Sequence, residues 1–90
     1  MNLYKVTRTD YIGYDEYVEF VCSAQDEEQA RSIAPWGALG EVAMVGWDPE
    51  VRKWGWHWAD TINDVQVELI GVADAKFTKP QIISASFNAG

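Results

Sequence analysis

The sequence predicts an α+β fold: a small single domain in which an antiparallel β-sheet carries one short helix packed on one face. Two patterns point there. Several segments alternate apolar and polar residues with a period of two, and one segment among them has apolar residues at helical spacing. A third observation bounds the answer. Ninety residues can build one hydrophobic core and leave no room for a second, so residues 1–90 are expected to form one domain.

Asn2 to Thr9 reads as a first strand, with Tyr4, Val6 and Arg8 on one face. Asp10 to Gly13 suits a turn in which Gly13 is free to take a positive φ. Asp15 to Cys22 reads as a second strand, antiparallel to the first. Simple alternation groups Val18, Phe20 and Cys22 on one face and Tyr17, Glu19 and Val21 on the other. A helix is expected from Ser23 to Ala34. Ser23 and Asp26 have capping-box spacing, Glu27 and Glu28 favour the positive end of the helix dipole, and Ala30, Ile33 and Ala34 make an apolar stripe. Pro35 should end it, because the residue before a proline disfavours the helical region.

Trp36 to Gly40 reads as a glycine-punctuated loop, and Glu41 to Trp58 as a β-hairpin turning at Asp48-Pro49-Glu50-Val51. Alternation sends Trp54, Trp56 and Trp58 one way and Lys53, Gly55 and His57 the other. Trp47 joins the aromatic face if the turn sets it opposite Arg52, and a one-residue shift sends it to the far side. That face suits two roles: core, because tryptophan buries a large area in a short chain, or a surface for stacking a partner or a nucleobase. After a polar connection from Ala59 to Asp64, Val65 to Val72 alternates as a strand. Ala73 to Lys79 is a loop. Gln81 to Phe87 closes the sheet with Ile83, Ala85 and Phe87 sharing a face.

The composition, 48% hydrophobic and 13% aromatic, is that of a folded protein, and the formal net charge is −7. That charge argues against direct nucleic-acid binding, which needs clustered Lys and Arg. The seven basic residues here are scattered. Cys22 is the sole cysteine, so no intrachain disulfide can form. The first residues lack a secretory pattern and no apolar run reaches membrane-spanning length, which leads to the expectation of a cytoplasmic protein with no membrane partner.

Catalytic patterns are sparse. His57 is the sole histidine, and Cys22 on an apolar strand face reads as a small buried hydrophobe. No cofactor, metal or phosphate motif stands out, and the expectation is a protein that is not an enzyme. What remains is an acidic and aromatic cluster around the first hairpin. Asp10, Asp15, Glu16 and Glu19 lie there with Tyr11, Tyr14 and Tyr17 interleaved, a pattern suited either to a solvated edge or to a partner's basic surface.

Short words at both ends add a direction. Lys5-Val6-Thr7-Arg8-Thr9-Asp10, Tyr14-Asp15-Glu16-Tyr17, the Ala30-Arg31 pair within Glu28 to Arg31, Val67-Glu68-Leu69-Ile70-Gly71 and Ser84-Ala85-Ser86-Phe87-Asn88-Ala89-Gly90 resemble small proteins encoded by tailed bacteriophages. The resemblance covers both flanks and leaves out the tryptophan-rich middle. It implies a protein that acts in the host cytoplasm. Such proteins include antagonists of host defence, such as anti-CRISPR proteins, and sponges for nucleotide immune signals. The expected partner is therefore a host protein or complex, a defence or nucleic-acid-handling system, met through Asp10, Tyr11, Tyr14, Asp15, Glu16, Tyr17 and Glu19. The alternatives are a nucleotide held by Trp47, Trp54, Trp56 or Trp58, in a form that allows a homo-oligomer, and a structural phage protein.

Overall fold

Tyr4, Val6 and Arg8 project to the same side of the first strand, and all three are buried. They mark the inner face of the sheet. The computed structural model describes residues 1–13, 16–36, 43–44 and 58–88. In chain order its elements are β1 (Asn2–Arg8), β2 (Glu16–Ala24), α1 (Glu27–Arg31), β3 (Pro35–Trp36), β4 (Ala43–Met44), β5 (Val65–Val72) and β6 (Gln81–Asn88). The outcome is the α+β arrangement that the alternation predicts, with a smaller helix.

Four strands form one antiparallel sheet in the order β5-β1-β2-β6, and β3 pairs with β4 separately. Register fixes which side chains share the inner face. Val6 lies opposite Phe20 of β2 and Val67 of β5, and Tyr4 lies opposite Cys22 and Leu69. Phe20 and Cys22 are buried with Val6 and Tyr4, so the core runs across the middle strands. Burying these apolar side chains is the main stabilising term for the sheet.

Tyr17 departs from simple alternation. The β2–β6 register shifts between Tyr17 and Glu19, which inserts one extra residue and turns Tyr17 onto the inner face with Phe20. It is fully buried there, edge-on to Phe87 with ring centroids 4.9 Å apart. The expected grouping of Tyr17 with Glu19 and Val21 is therefore overturned. A second shift, between Val21 and Cys22, puts Ile82 opposite Cys22. Ile82, rather than Ile83, then packs against the core beside Ala85 and Phe87.

The helix is also corrected. β2 continues through Ala24, so Ser23 is a buried strand residue whose hydroxyl donates to the Lys79 carbonyl at 2.8 Å. Asp26 is the N-cap, accepting from the Gln29 N–H at 2.8 Å, and Gln29 reaches back to accept from the Gln25 N–H at 2.7 Å. This is N-capping displaced three residues along the chain, and the reciprocal bond from Gln29 falls on the residue before the cap instead of on the cap itself. The helix ends at Arg31 with Ser32 as C-cap, and Pro35 starts β3 instead of terminating a helix. Trp36, expected in a loop, is paired with Ala43. At five residues α1 is about 7.5 Å long, so it covers only part of the sheet. It lies against β5, β2 and β1 with Ala30 buried. No helix among the described residues is long and apolar enough to cross a membrane.

Candidate functional site

The acidic hairpin is organised around Arg8. Its register places a guanidinium on the inner face, where an unpaired charge would be costly. The chain returns carboxylates to it. Nε donates to Asp10 Oδ1 at 2.7 Å and Nη2 to Asp10 Oδ2 at 3.2 Å. Nη1 donates to Glu16 Oε1 at 2.9 Å and to the Tyr17 carbonyl at 3.3 Å, and Nη2 also reaches the Tyr11 carbonyl at 2.8 Å. These bonds engage all five guanidinium N–H groups. Burial alone would lower the Arg8 pKa, but the hydrogen bonds and charges of Asp10 and Glu16 outweigh it and hold it above its ordinary value. Burial likewise pushes Asp10 up, while Arg8 and the Asp60 N–H pull harder, leaving that carboxyl below its usual range.

Gly13 serves this cluster through proximity. Its N–H donates to Glu16 Oε2 at 2.8 Å, and a Cβ at that position would push the same carboxylate aside. The Gly13 carbonyl accepts from Asn88 Nδ2 at 3.1 Å, tying the turn to β6.

Two of the carboxylates expected to meet a partner, Asp10 and Glu16, are thus drawn onto Arg8. Glu19 sits at 3.5 Å from Lys5 on the outer face. Tyr17 is in the core, its hydroxyl pKa raised by burial, whereas Tyr11 is 87% exposed. Tyr14 and Asp15 lie outside the described residues, as do Trp47, Trp54, Trp56, the turn at 48–51 and His57.

Trp58 takes the core role. It is fully buried with its ring tilted against Phe20 at a centroid separation of 5.1 Å. Its indole Nε1 has no hydrogen-bond partner among the described residues. The next residues connect this ring to the Arg8 cluster, because the Asp60 N–H donates to Asp10 Oδ2 at 2.9 Å. Cys22 is buried as the sequence predicts, and burial raises its thiol pKa to about 11. Such a thiol carries little of the thiolate that nucleophilic chemistry requires.

The feature that sequence reasoning missed is the outer edge of β5. Val65 is buried, yet Leu69 on the same side is 61% exposed and Val72 is 78% exposed. The short helix explains the gradient. Arg31 Nη1 donates to the Val65 carbonyl at 2.8 Å, so α1 caps the beginning of β5 and does not extend to its end. Ile70 is also exposed, at the position where the β1–β5 register shifts. The available signal was the apolar run Leu69-Ile70-Gly71-Val72 beside a helix with few apolar residues.

Comparison of the chain with protein-family models, with curated proteins and with solved structures finds no significant match.

Proposed function

We propose that the protein acts by binding another protein and carries out no catalysis of its own. The observation that carries this reading is the uncovered apolar end of β5, where Leu69, Ile70 and Val72 lie exposed on a folded sheet. Cys22 supports it from the other side, since the thiol is held protonated inside the core. The resemblance of both flanks to small tailed-phage proteins gives the class of partner. It is a host protein or complex, of a defence or nucleic-acid-handling system, in the host cytoplasm.

A net charge of −7 suits a partner with a basic surface. The carboxylates available to steer such an encounter are exposed ones such as Glu28 and Glu68, rather than Asp10 and Glu16, which bind Arg8, or Glu27, which pairs with Arg31. Affinity capture with the purified protein, followed by reconstitution with the captured partner, tests the proposal. A stoichiometric complex that weakens with rising salt and survives in the Cys22→Ala, His57→Ala variant is the expected result. Covalent turnover of the partner, lost in that variant while binding persists, would replace this reading with catalysis. A nucleotide that strongly stabilises the protein, with no protein captured, would replace it with ligand sequestration.

A further inference from the structure

Among the described residues, the backbone of β5 has one paired side and one open side. The Thr9 N–H donates to the Asp64 carbonyl at 2.8 Å, and Thr7 and Lys5 lie opposite Gln66 and Glu68. Antiparallel pairs alternate between hydrogen-bonded and non-hydrogen-bonded, so Gln66 and Glu68 turn their backbone groups toward β1. Val65, Val67 and Leu69 therefore turn theirs outward. Arg31 occupies the Val65 carbonyl. Past that point β5 has no strand partner but β1 among the described residues. The opposite edge differs, because β4 approaches β6.

Side chains along this edge specify chemistry. Leu69 and Val72 extend the inner face beyond the reach of α1, and both are exposed. Glu68, on the outer face, is exposed and makes no ion pair among the described residues. It borders a shallow groove of about 250 Å³ with Lys5, Thr7, Gln66 and Val67. β5 carries no basic residue, the usual protection of an exposed edge against strand pairing.

We propose that the open edge of β5, from Val67 to Val72, receives an extended segment of another protein as an added antiparallel strand, with a Lys or Arg opposite Glu68 and apolar residues opposite Val67 and Leu69. This rests on the protein-binding reading above and gives it a place and a polarity. Main-chain bonds to the outward groups of Val67 and Leu69 hold the segment. Its alternation follows from β5: residues opposite Leu69, Glu68 and Val67 read apolar, basic, apolar. Charge argues against a second copy as occupant. Pairing β5 with itself joins two chains of net charge −7 and puts two Glu68 side chains in one ladder.

The probe is the capped peptide Thr-Lys-Val-Lys-Val-Lys-Thr, titrated into ¹⁵N-labelled protein, beside a Glu-for-Lys version and one with alternate backbone nitrogens methylated. The expected result is saturable shifts at the Val67 and Leu69 amides with the Lys peptide. Glu68→Lys should weaken it about fivefold or more, and methylation should abolish it. Shifts centred on another surface, indifference to methylation, or no shift at all would overturn the proposal. So would concentration-dependent dimerisation through β5, read by sedimentation.

Leu69→Pro is the blocking variant, because it removes an outward N–H and leaves the β1 ladder intact. Glu68→Lys covers the case in which Leu69→Pro does not fold. In the reconstituted complex, binding that persists in the folded variants removes the edge proposal while the protein-binding reading stands. Failure to obtain any complex with unmodified protein removes that reading itself.

Discussion

Arg8 and Asp10 meet side-on through two hydrogen bonds, Nε to Oδ1 at 2.7 Å and Nη2 to Oδ2 at 3.2 Å, with the arginine side chain only 1% exposed. This pair converts part of what reads as an acidic surface into the internal fastening of one end of the sheet. Glu16, the Tyr11 and Tyr17 carbonyls and the Asp60 N–H complete it, joining β1, the 10–16 connection and the segment after Trp58.

Replacing Arg8 should therefore cost far more than a surface charge. Arg8→Met removes the cation that Asp10 and Glu16 share and leaves them only the Asp60 and Gly13 N–H groups, with some access to water. The expected loss is roughly 2–4 kcal/mol, below the full value for a completely buried pair. Arg8→Lys should recover only part of it, since one ammonium cannot serve acceptors spread around a planar fork. Urea denaturation at neutral pH measures both. A loss within about 0.5 kcal/mol for Arg8→Met would show that the cluster contributes little.

Acid stability should report the same cluster. The Asp10 pKa is lower in the folded protein, so the unfolded chain binds its proton more tightly. The resulting stabilisation is present above the unfolded value of about 4 and is lost as pH falls through the depressed folded value. Denaturation midpoints at pH 7, 5 and 3 should fall more steeply for the unmodified protein than for Asp10→Asn. Parallel pH curves for the two would contradict this origin.

Cys22 should resist modification. With its pKa raised to about 11, its thiolate fraction at neutral pH is lower by roughly two to three orders of magnitude than that of a free cysteine near 8.5. Alkylation by iodoacetamide should be slow in buffer and rapid in urea. The neutral thiol is favoured by folding, so its contribution to stability holds below about pH 8.5 and disappears as pH rises through about 11. Fast alkylation of native protein, with no change in folding, would disprove the burial.

Trp58 separates core from binding surface. Trp58→Ala should destabilise by about 3–5 kcal/mol by opening a cavity against Phe20. Trp58→Phe should cost less, because it also removes a buried N–H without a partner among the described residues. Thermal unfolding followed by circular dichroism tests this. Unchanged melting for Trp58→Ala would return the residue to the surface.

The helix start has a simple check. Asp26→Ala should cost about 1 kcal/mol and Asp26→Asn little, because asparagine also caps. Equal losses in denaturation midpoint for the two would argue against a capping role for the Asp26 side chain.

The local pattern determined much by itself. Tyr4, Val6 and Arg8 alternate in β1, Val65 and Val67 alternate in β5, and a single helical segment lies between strands. These suffice for an α+β class, because side-chain direction follows from strand and helix periods. The short connection between Arg8 and Glu16 makes the first two strands antiparallel, since a parallel crossover needs a dozen or more residues. Burial of Cys22 was legible for the same reason.

Tertiary structure decided the rest. Only pairing with β6 introduces the shift that turns Tyr17 inward, and only the continuation of β2 through Ala24 moves the helix cap from Ser23 to Asp26. Whether Asp10 and Glu16 face a partner or Arg8 depends on the return of the connection, which no local spacing specifies. The exposed end of β5 likewise exists because a five-residue helix stops short of Leu69 and Val72. Period sets which face a residue occupies along its own strand, whereas burial depends on what the other elements bring to that face.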